Sequence, residues 1–343
     1  MSPPGATPPQ KVPSSAPFLS IVLTGRNDEY GVDFQTRFLR TLAFNTRELA
    51  ARGIPYEVVF VEWAPDPHRP LLVDLVVDTI GALRDSSTFR GIIVDRAYHD
   101  ALSLNPRLEY LEFLAKNVGI RRAAGEYVLT TNCDVFFSRV VLDVLQQGRL
   151  DPRVLYRAVR HDVKIAVDSS LVDWEMLEDP RNLEHPPGTL TPPFMGGGTG
   201  DFLLLDRASL HSLRGFNEVY RVARVGIDHN FLVKVLSDGL TIRDIGGPVY
   251  HLNHLGSYRI ARHMYRGREG AAPYGDIRWH SRGVIYVNPA TWGLANAPEV
   301  HQGAQTSSLR FSWDAVPPLV DLRRIVLPVA RAGAPYPGSY VER

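Results

Sequence analysis

The residues best suited to chemistry are Asn132, Cys133 and Asp134, which follow the apolar, β-branched run Tyr127–Thr131 and precede a second apolar pair, Val135 and Phe136. The run has the composition of a buried strand. A carboxylate and a carboxamide at the end of such a strand cannot face a dry core without partners. In α/β sheets the ends of strands are also where ligands bind. Small oxygen-bearing side chains there suit Mg2+ or Mn2+, and the cation can in turn hold phosphates. The alternative is a plain strand-to-helix turn, with Asp134 or Ser138 capping a helix over Arg139–Gln147.

The elements that must position this cluster follow from the hydrophobic pattern. Residues 18–24 (FLSIVLT) form a near-continuous apolar strand of the kind buried on both faces, ending in Gly25-Arg26-Asn27-Asp28. A helix is expected over 33–52, with Phe34, Phe38, Leu42 and Leu49 on one stripe, stopped by Gly53-Ile54-Pro55. A second strand, 56–61, leads into Glu62-Trp63. A helix over 71–83, a strand over 91–94, a helix over 108–124 and the Tyr127 strand complete the series. This alternation predicts an α/β fold with a mainly parallel central sheet and helices on both faces. After residue 150 the alternation weakens. A strand is expected over 154–159, an irregular loop over 162–193 containing Trp174, a strand over 202–205, and a helix over 228–236. A loop of that length in a compact protein is usually functional or mobile.

The domain reading is a Pro-rich arm over 1–17, a first half over 18–150, a second half of the same domain over 151–287, and a Pro- and Gly-rich extension over 288–343 that wraps the body. The 343 residues are 44% hydrophobic and 22% charged, enough for a sizeable core. Lys and Arg number 38 against 37 Asp and Glu, so no bulk field points to nucleic acid. Cys133 is the single cysteine, which excludes an intrachain disulfide and fits a reducing compartment. No apolar run approaches the ~20 residues of a membrane span, and the expected location is cytoplasmic.

On these residues the chain resembles the family 2 type of nucleotide-sugar glycosyltransferases with the GT-A fold. The resemblance covers roughly residues 19–254. Its best block is Asn117-Val-Gly-Ile-Arg121-Arg122-Ala-Ala-Gly125-Glu126-Tyr127 followed by Thr131-Asn132-Cys133-Asp134. It matches the family's N-x-G-x-x-x-A-x-G-E-Y turn and D-x-D cluster, the latter a holder of Mn2+ or Mg2+ against a sugar diphosphate. The resemblance implies a UDP-sugar donor and a carbohydrate or other hydroxyl acceptor, the latter served by a smaller acceptor-side region. It places Thr24, Gly25 and Arg26 beside the nucleoside, Glu62 at the base, and Asn117, Arg121 and Arg122 on the helix next to the nucleotide, with Asn132 and Cys133 in the same site. An arginine there could pair with phosphate oxygens; the alternative for each is a solvated helix face. The first acid of the D-x-D is Asn132 here, which brings no negative charge and shifts the load to Asp134.

Downstream, Gly200-Asp201-Phe202, Arg214-Gly-Phe-Asn-Glu218 and Ile227-Asp228-His229 resemble the family's acceptor region. There the last acid of an E-D pair is the general base of inverting members, which implies that role for Asp228. The alternative for Asp228 is a helix N-cap, and Asp201 is the runner-up as base or acceptor contact. The pair His251-x-x-His254 would share one face of a helix. Gly246, Gly247 and Pro248 argue instead for strand or loop, where at most one of the two would reach a metal. The resemblance favours a downstream histidine as metal ligand, here His254 before His251.

The expected activity is metal-assisted, inverting transfer of a sugar from a UDP-sugar to a hydroxyl. The competing reading is a non-catalytic nucleotide-sugar or carbohydrate-binding homologue with a degenerate D-x-D. A sugar-1-phosphate nucleotidyltransferase would need a Gly-rich loop after the first strand, and a dehydrogenase or methyltransferase a G-x-G there. The segment 24–28 offers neither. His263, Tyr265 and His280 lie in a basic stretch, 259–282, read either as a loop closing over the diphosphate or as a solvated surface.

Overall fold

A computed structural model of the chain describes residues 16–28, 33–85, 87–106, 108–164, 172–184, 190, 200–221, 226–252, 254, 284–318 and 340–341. His263, Tyr265 and His280 lie outside these residues, as do residues 1–15 of the predicted 1–17 arm and much of the predicted 162–193 loop.

The first apolar run becomes β1 (Leu19–Gly25), buried along its whole length. It pairs in parallel with β2 (Tyr56–Trp63) on one side and with β4 (Tyr127–Thr131) on the other, while β2 pairs in parallel with β3 (Phe89–Val94). Strand order therefore reverses at β1, the topological switch point where doubly wound sheets leave a crevice beyond the strand ends. Beyond β4 the sheet continues through β7 (Phe202–Asp206), β6 (Val154–Val163), β8 (Thr241–Leu252) and β5 (Val135–Phe137). β7 runs antiparallel to β4 and β6, whereas β6 and β8 are parallel.

Strand alternation sorts side chains onto the two faces. Leu19, Ile21 and Leu23 of β1 meet α1 (Phe34–Ala51), α2 (Leu72–Thr79) and α5 (Arg139–Gln147) in one core. Val22 faces the other, which is covered by α3 (Arg96–Leu102), α4 (Glu112–Arg122), α7 (Arg207–Leu213) and α8 (Ile227–Ser237). The α/β layering expected from the sequence is the observed one. No helix among the described residues is long and apolar enough to cross a membrane.

Two glycines of the 117–127 block are explained by close approach. A Cβ at Gly119 would lie 2.5 Å from a Val22 methyl, and one at Gly125 would lie 2.5 Å from the Ser20 backbone nitrogen. Only glycine lets α4 and the following turn press against β1 at these points.

Several boundaries differ from the sequence reading. The helix predicted over 71–83 breaks at Ile80, whose extended backbone precedes a 3-10 turn over Gly81–Leu83. The helix predicted from 108 starts at Glu112. α3 was not foreseen; Asp95 caps it by accepting from the Ala97 amide. β6 runs four residues past the predicted strand, carrying Arg160 and Asp162 into the sheet. β8 passes through Gly246, Gly247 and Pro248, facing an irregularity between Arg157 and Val159 of β6 that absorbs the misfit. The segment predicted as a wrapping extension supplies β10 (Glu299–His301) and β11 (Thr306–Leu309), the latter parallel to β3. Its Trp292 and Leu294 are buried in the α4-side core. A separate two-stranded ladder joins β9 (Val284–Ile285) and β12 (Tyr340–Val341).

Candidate metal centre

Asp134 sits just beyond β4, at the switch point. Its neighbour Cys133 points its thiol at the Thr24 carbonyl oxygen, 3.3 Å away, so the turn is pinned to the end of β1. The Asp134 carbonyl accepts from the Leu252 amide at 2.9 Å, which fixes the turn to the end of β8 as well. Three cationic or potentially cationic groups converge on the nearly buried carboxylate. Arg37, itself 1% exposed, donates to Oδ2. His254 Nε2 lies 3.1 Å from Oδ2, and His251 Nε2 lies 3.6 Å from Oδ1. Burial alone would raise the Asp134 pKa. The two imidazoles and Arg37 outweigh it and hold the group well below the ordinary carboxylate range.

Asp134, His251 and His254 each offer one ligand atom, and the three atoms lie within 4.8 Å of one another. One carboxylate oxygen and two imidazole nitrogens form a donor set suited to Mn2+ or a similar divalent ion. Both histidines lie against Asp134, whereas at most one was expected to reach a metal. β8 ends at Leu252, so the two-residue alternation that would turn His254 away does not extend to it. The amide oxygen of Asn132 accepts from Lys116 Nζ at 3.1 Å and its amide nitrogen donates to Asp201 Oδ1 at 2.6 Å.

A polar chain leads from this cluster to the predicted acceptor side. Asp201, 2% exposed, precedes β7; its Oδ2 pairs with Arg160 Nη1 at 3.1 Å. Arg160 also binds Asp162 at 2.6 Å, and Asp162 binds His251 Nδ1 at 2.8 Å. Asp228 lies in the first turn of α8. The N-cap position itself belongs to Gly226, and Asp228 Oδ1 accepts from the His229 amide at 2.8 Å. Burial pushes its pKa up from the ordinary value, assisted by Glu112 and Asp201 and opposed by the His229 amide and Lys116. A Cβ on Gly200 would lie 3.4 Å from Asp228 Oδ2, which places the Asp201 turn against the Asp228 carboxylate. The fully buried Arg157 has its pKa lowered by burial to about 10 while Asp228 and Asp201 counteract the shift.

Other residues expected at the nucleotide make contacts that build the scaffold. Glu62 is fully buried and accepts from the Leu72 and Val73 amides at 2.9 and 3.0 Å, closing the N-terminus of α2. Asn117 is saturated: it donates to Phe216 O and Glu218 Oε1 and accepts from the Phe216 amide, all at 2.8–2.9 Å. Arg121 donates to the carbonyls of Ala290 and Trp292 at 3.1 Å. Arg122 pairs with Glu299 at 3.0 Å and donates to Gly293 O. Both arginines therefore staple the C-terminal segment to α4. Arg26 donates to the Glu109 carbonyl and pairs with Asp28 at 3.2 Å, and Gly25 backs onto the Phe34 ring. Trp174, expected in an acceptor loop, is a packing anchor. Its ring meets Phe44 edge-on at 5.0 Å, lies beneath Arg139, and donates from its indole nitrogen to Glu48.

Arg37, Lys116, Arg157, Arg160 and Asp162 were missed. One signal was available for Arg37, which shares the buried stripe of α1 with Phe34, Phe38 and Leu42; a charge on an apolar face needs a partner.

No family model and no curated protein matches the chain. Among solved structures it is similar to GalNAc-T7 crystallised with UDP, GalNAc and Mn2+. The identity is 14% and the TM-score 0.46, with 78% of this chain and 54% of that one covered. It is also similar to the catalytic domain of Drosophila β1,4-galactosyltransferase 7 complexed with xylobiose, at 12% identity and TM-score 0.41, with 87% and 96% covered. A third is S. aureus TarS 1–349 in complex with UDP-GlcNAc, at 17% identity and TM-score 0.38, with 73% and 61% covered. The chain spans just over half of the GalNAc-T7 chain. At these scores the likeness is one of general layout.

Proposed function

We propose that the protein is a GT-A-type glycosyltransferase that moves a sugar from a UDP-sugar to a hydroxyl of a carbohydrate or other acceptor. The observation that carries this reading is the meeting of Asp134, His251 and His254 at the switch point of the sheet. These three residues would hold Mn2+ or Mg2+. When bound, such a cation supplies positive charge against a diphosphate leaving group.

The chain's own residues do the rest. Arg37 and the β1 contact of Cys133 keep the Asp134 turn in place before any ligand arrives. Lys116 and Asn132 hold Asp201 toward the acceptor side. Asp228 takes the acceptor proton as the hydroxyl attacks the anomeric carbon from the face opposite the diphosphate, giving inversion. Burial raises its pKa above the ordinary aspartate value, which makes its carboxylate a stronger proton acceptor. Asp201 remains the second candidate for that role. Buried Cys133, with its thiol pKa pushed up by burial, is a packing residue and fits a cytoplasmic setting.

The test is release of UDP from a panel of nucleotide sugars, with simple glycosides as acceptors, with and without added Mn2+. Cation-dependent transfer of at least one sugar is expected. Cation-dependent UDP binding without turnover across the panel would instead favour the binding homologue, a reading supported by Asn132 standing where the D-x-D has its first acid. Binding of neither UDP nor a cation would exclude both.

A further inference from the structure

β6 and β8 are parallel neighbours, and their register sets Asp162 directly against His251. The contact is short, 2.8 Å from His251 Nδ1 to Asp162 Oδ1. Arg160, two residues earlier on the same face of β6, reaches the same carboxylate oxygen with Nη2 and Nε at 2.6 and 2.8 Å. With two N–H groups of Arg160 donating to it, the Asp162 carboxylate is the acceptor, and the hydrogen in its contact with His251 belongs to Nδ1. A neutral imidazole with its proton on Nδ1 carries a lone pair on Nε2. That atom faces Asp134 Oδ1 across 3.6 Å, beyond hydrogen-bonding range. Two electron-rich atoms directed at one another across such a gap are stabilised by a cation between them.

We propose that Asp162 is a positioning residue for the cation site, fixing the tautomer and ring orientation of His251 so that Nε2 and not Nδ1 is the ligand atom. The proposal rests on the cation-site reading above. Partners of this kind orient the imidazole and raise its basicity, and their loss costs ~10–100-fold in metal affinity. Arg160 extends the arrangement: bound to both Asp162 and Asp201, it fixes the carboxylate that orients His251 relative to the acceptor-side turn.

The experiment is calorimetric Mn2+ titration of the full chain as wild type, Asp162→Ala and Asp162→Asn, with pulsed EPR of the bound Mn2+ to read imidazole nitrogen couplings. Thermal melts establish that each variant is folded. Asp162→Ala should bind Mn2+ ~10–100-fold more weakly and lose one nitrogen coupling. Asp162→Asn keeps an acceptor oxygen for Nδ1 and should recover part of both. Should the alanine variant not fold, a several-fold weakening in Asp162→Asn still supports the proposal. Wild-type affinity and couplings in the folded variants would overturn it while leaving the cation site standing. A wild-type chain that binds no Mn2+ would overturn the cation site and the positioning role together.

Discussion

Two clusters of buried polar side chains flank the centre of the sheet, and they differ in what their partners leave over. On the α4 side, Asn117, Glu218, Asn288 and Lys234 satisfy one another and the backbone around residues 214–218 and 288–293. Arg121 and Arg122 close that region over with carbonyls. At the switch point, Asp134 instead gathers Arg37, His251 and His254, and the His251 Nε2 to Asp134 gap stays too long for a hydrogen bond. Both clusters consist of residue types that do chemistry. The first joins elements and is electrostatically closed; the second gathers donor atoms around a point that a cation can occupy. Burial and residue type do not separate scaffold from site, whereas the saturation of hydrogen-bonding capacity does.

The contrast yields variants that separate ligand effects from stability effects. Asp228→Asn should lower turnover by ~10²–10⁴-fold, the usual contribution of a general base, while Mn2+ and UDP affinities stay at wild-type values. Steady-state kinetics paired with calorimetry measures both. Asp134→Ala should weaken Mn2+ binding at least ~100-fold and cost about 3–5 kcal/mol in urea unfolding, because it breaks the buried ion pair with Arg37. Asn117→Ala should show the opposite profile. It should lose about 2–4 kcal/mol of stability through the orphaned Phe216 amide and the weakened Glu218 contact, with no change in cation affinity. A cation-binding defect in that variant would erase the distinction between the two clusters.

Glu62 gives a pH-dependent version of the same comparison. Burial raises its pKa from 4.5 to about 7 despite the Leu72 and Val73 amides. The folded state therefore holds its proton more tightly than the unfolded chain. This contribution is complete below pH 4.5 and is lost as pH rises toward 7, up to about 3 kcal/mol. Urea midpoints of wild type minus Glu62→Gln, followed from pH 4.5 to 8, should fall over that window. A flat difference would mean that Glu62 stays ionised throughout. Arg121→Ala should have the smallest effect, about 1 kcal/mol from two hydrogen bonds to carbonyls, with UDP affinity intact.

The parallel strands were legible because each is a short, almost uninterrupted apolar run, and α1 because Phe34, Phe38, Leu42 and Leu49 keep helical spacing. Asp134 was legible for the same reason: a carboxylate interrupts an apolar context at a strand end. The conspicuous residues of the 117–127 block, on which the family resemblance rests, pack α4 on β1 through Gly119 and Gly125 and bind the Phe216 turn through Asn117. Asp162 and Arg160 were hidden by the polar end of β6, whose strand character comes from its pairing with β8 and not from its own hydrophobicity. The approach of both histidines to Asp134 was hidden by the end of β8 at Leu252, which a two-residue period read from sequence cannot anticipate.

Crystals soaked in Mn2+ and UDP, with anomalous scattering recorded at the manganese edge, address the central claim directly. The account predicts one strong peak bounded by Asp134, His251 and His254, with the nucleotide's diphosphate against it. A peak elsewhere on the sheet rim, or an ordered UDP with Asp134 still closed onto Arg37 and no metal beside it, would contradict the account.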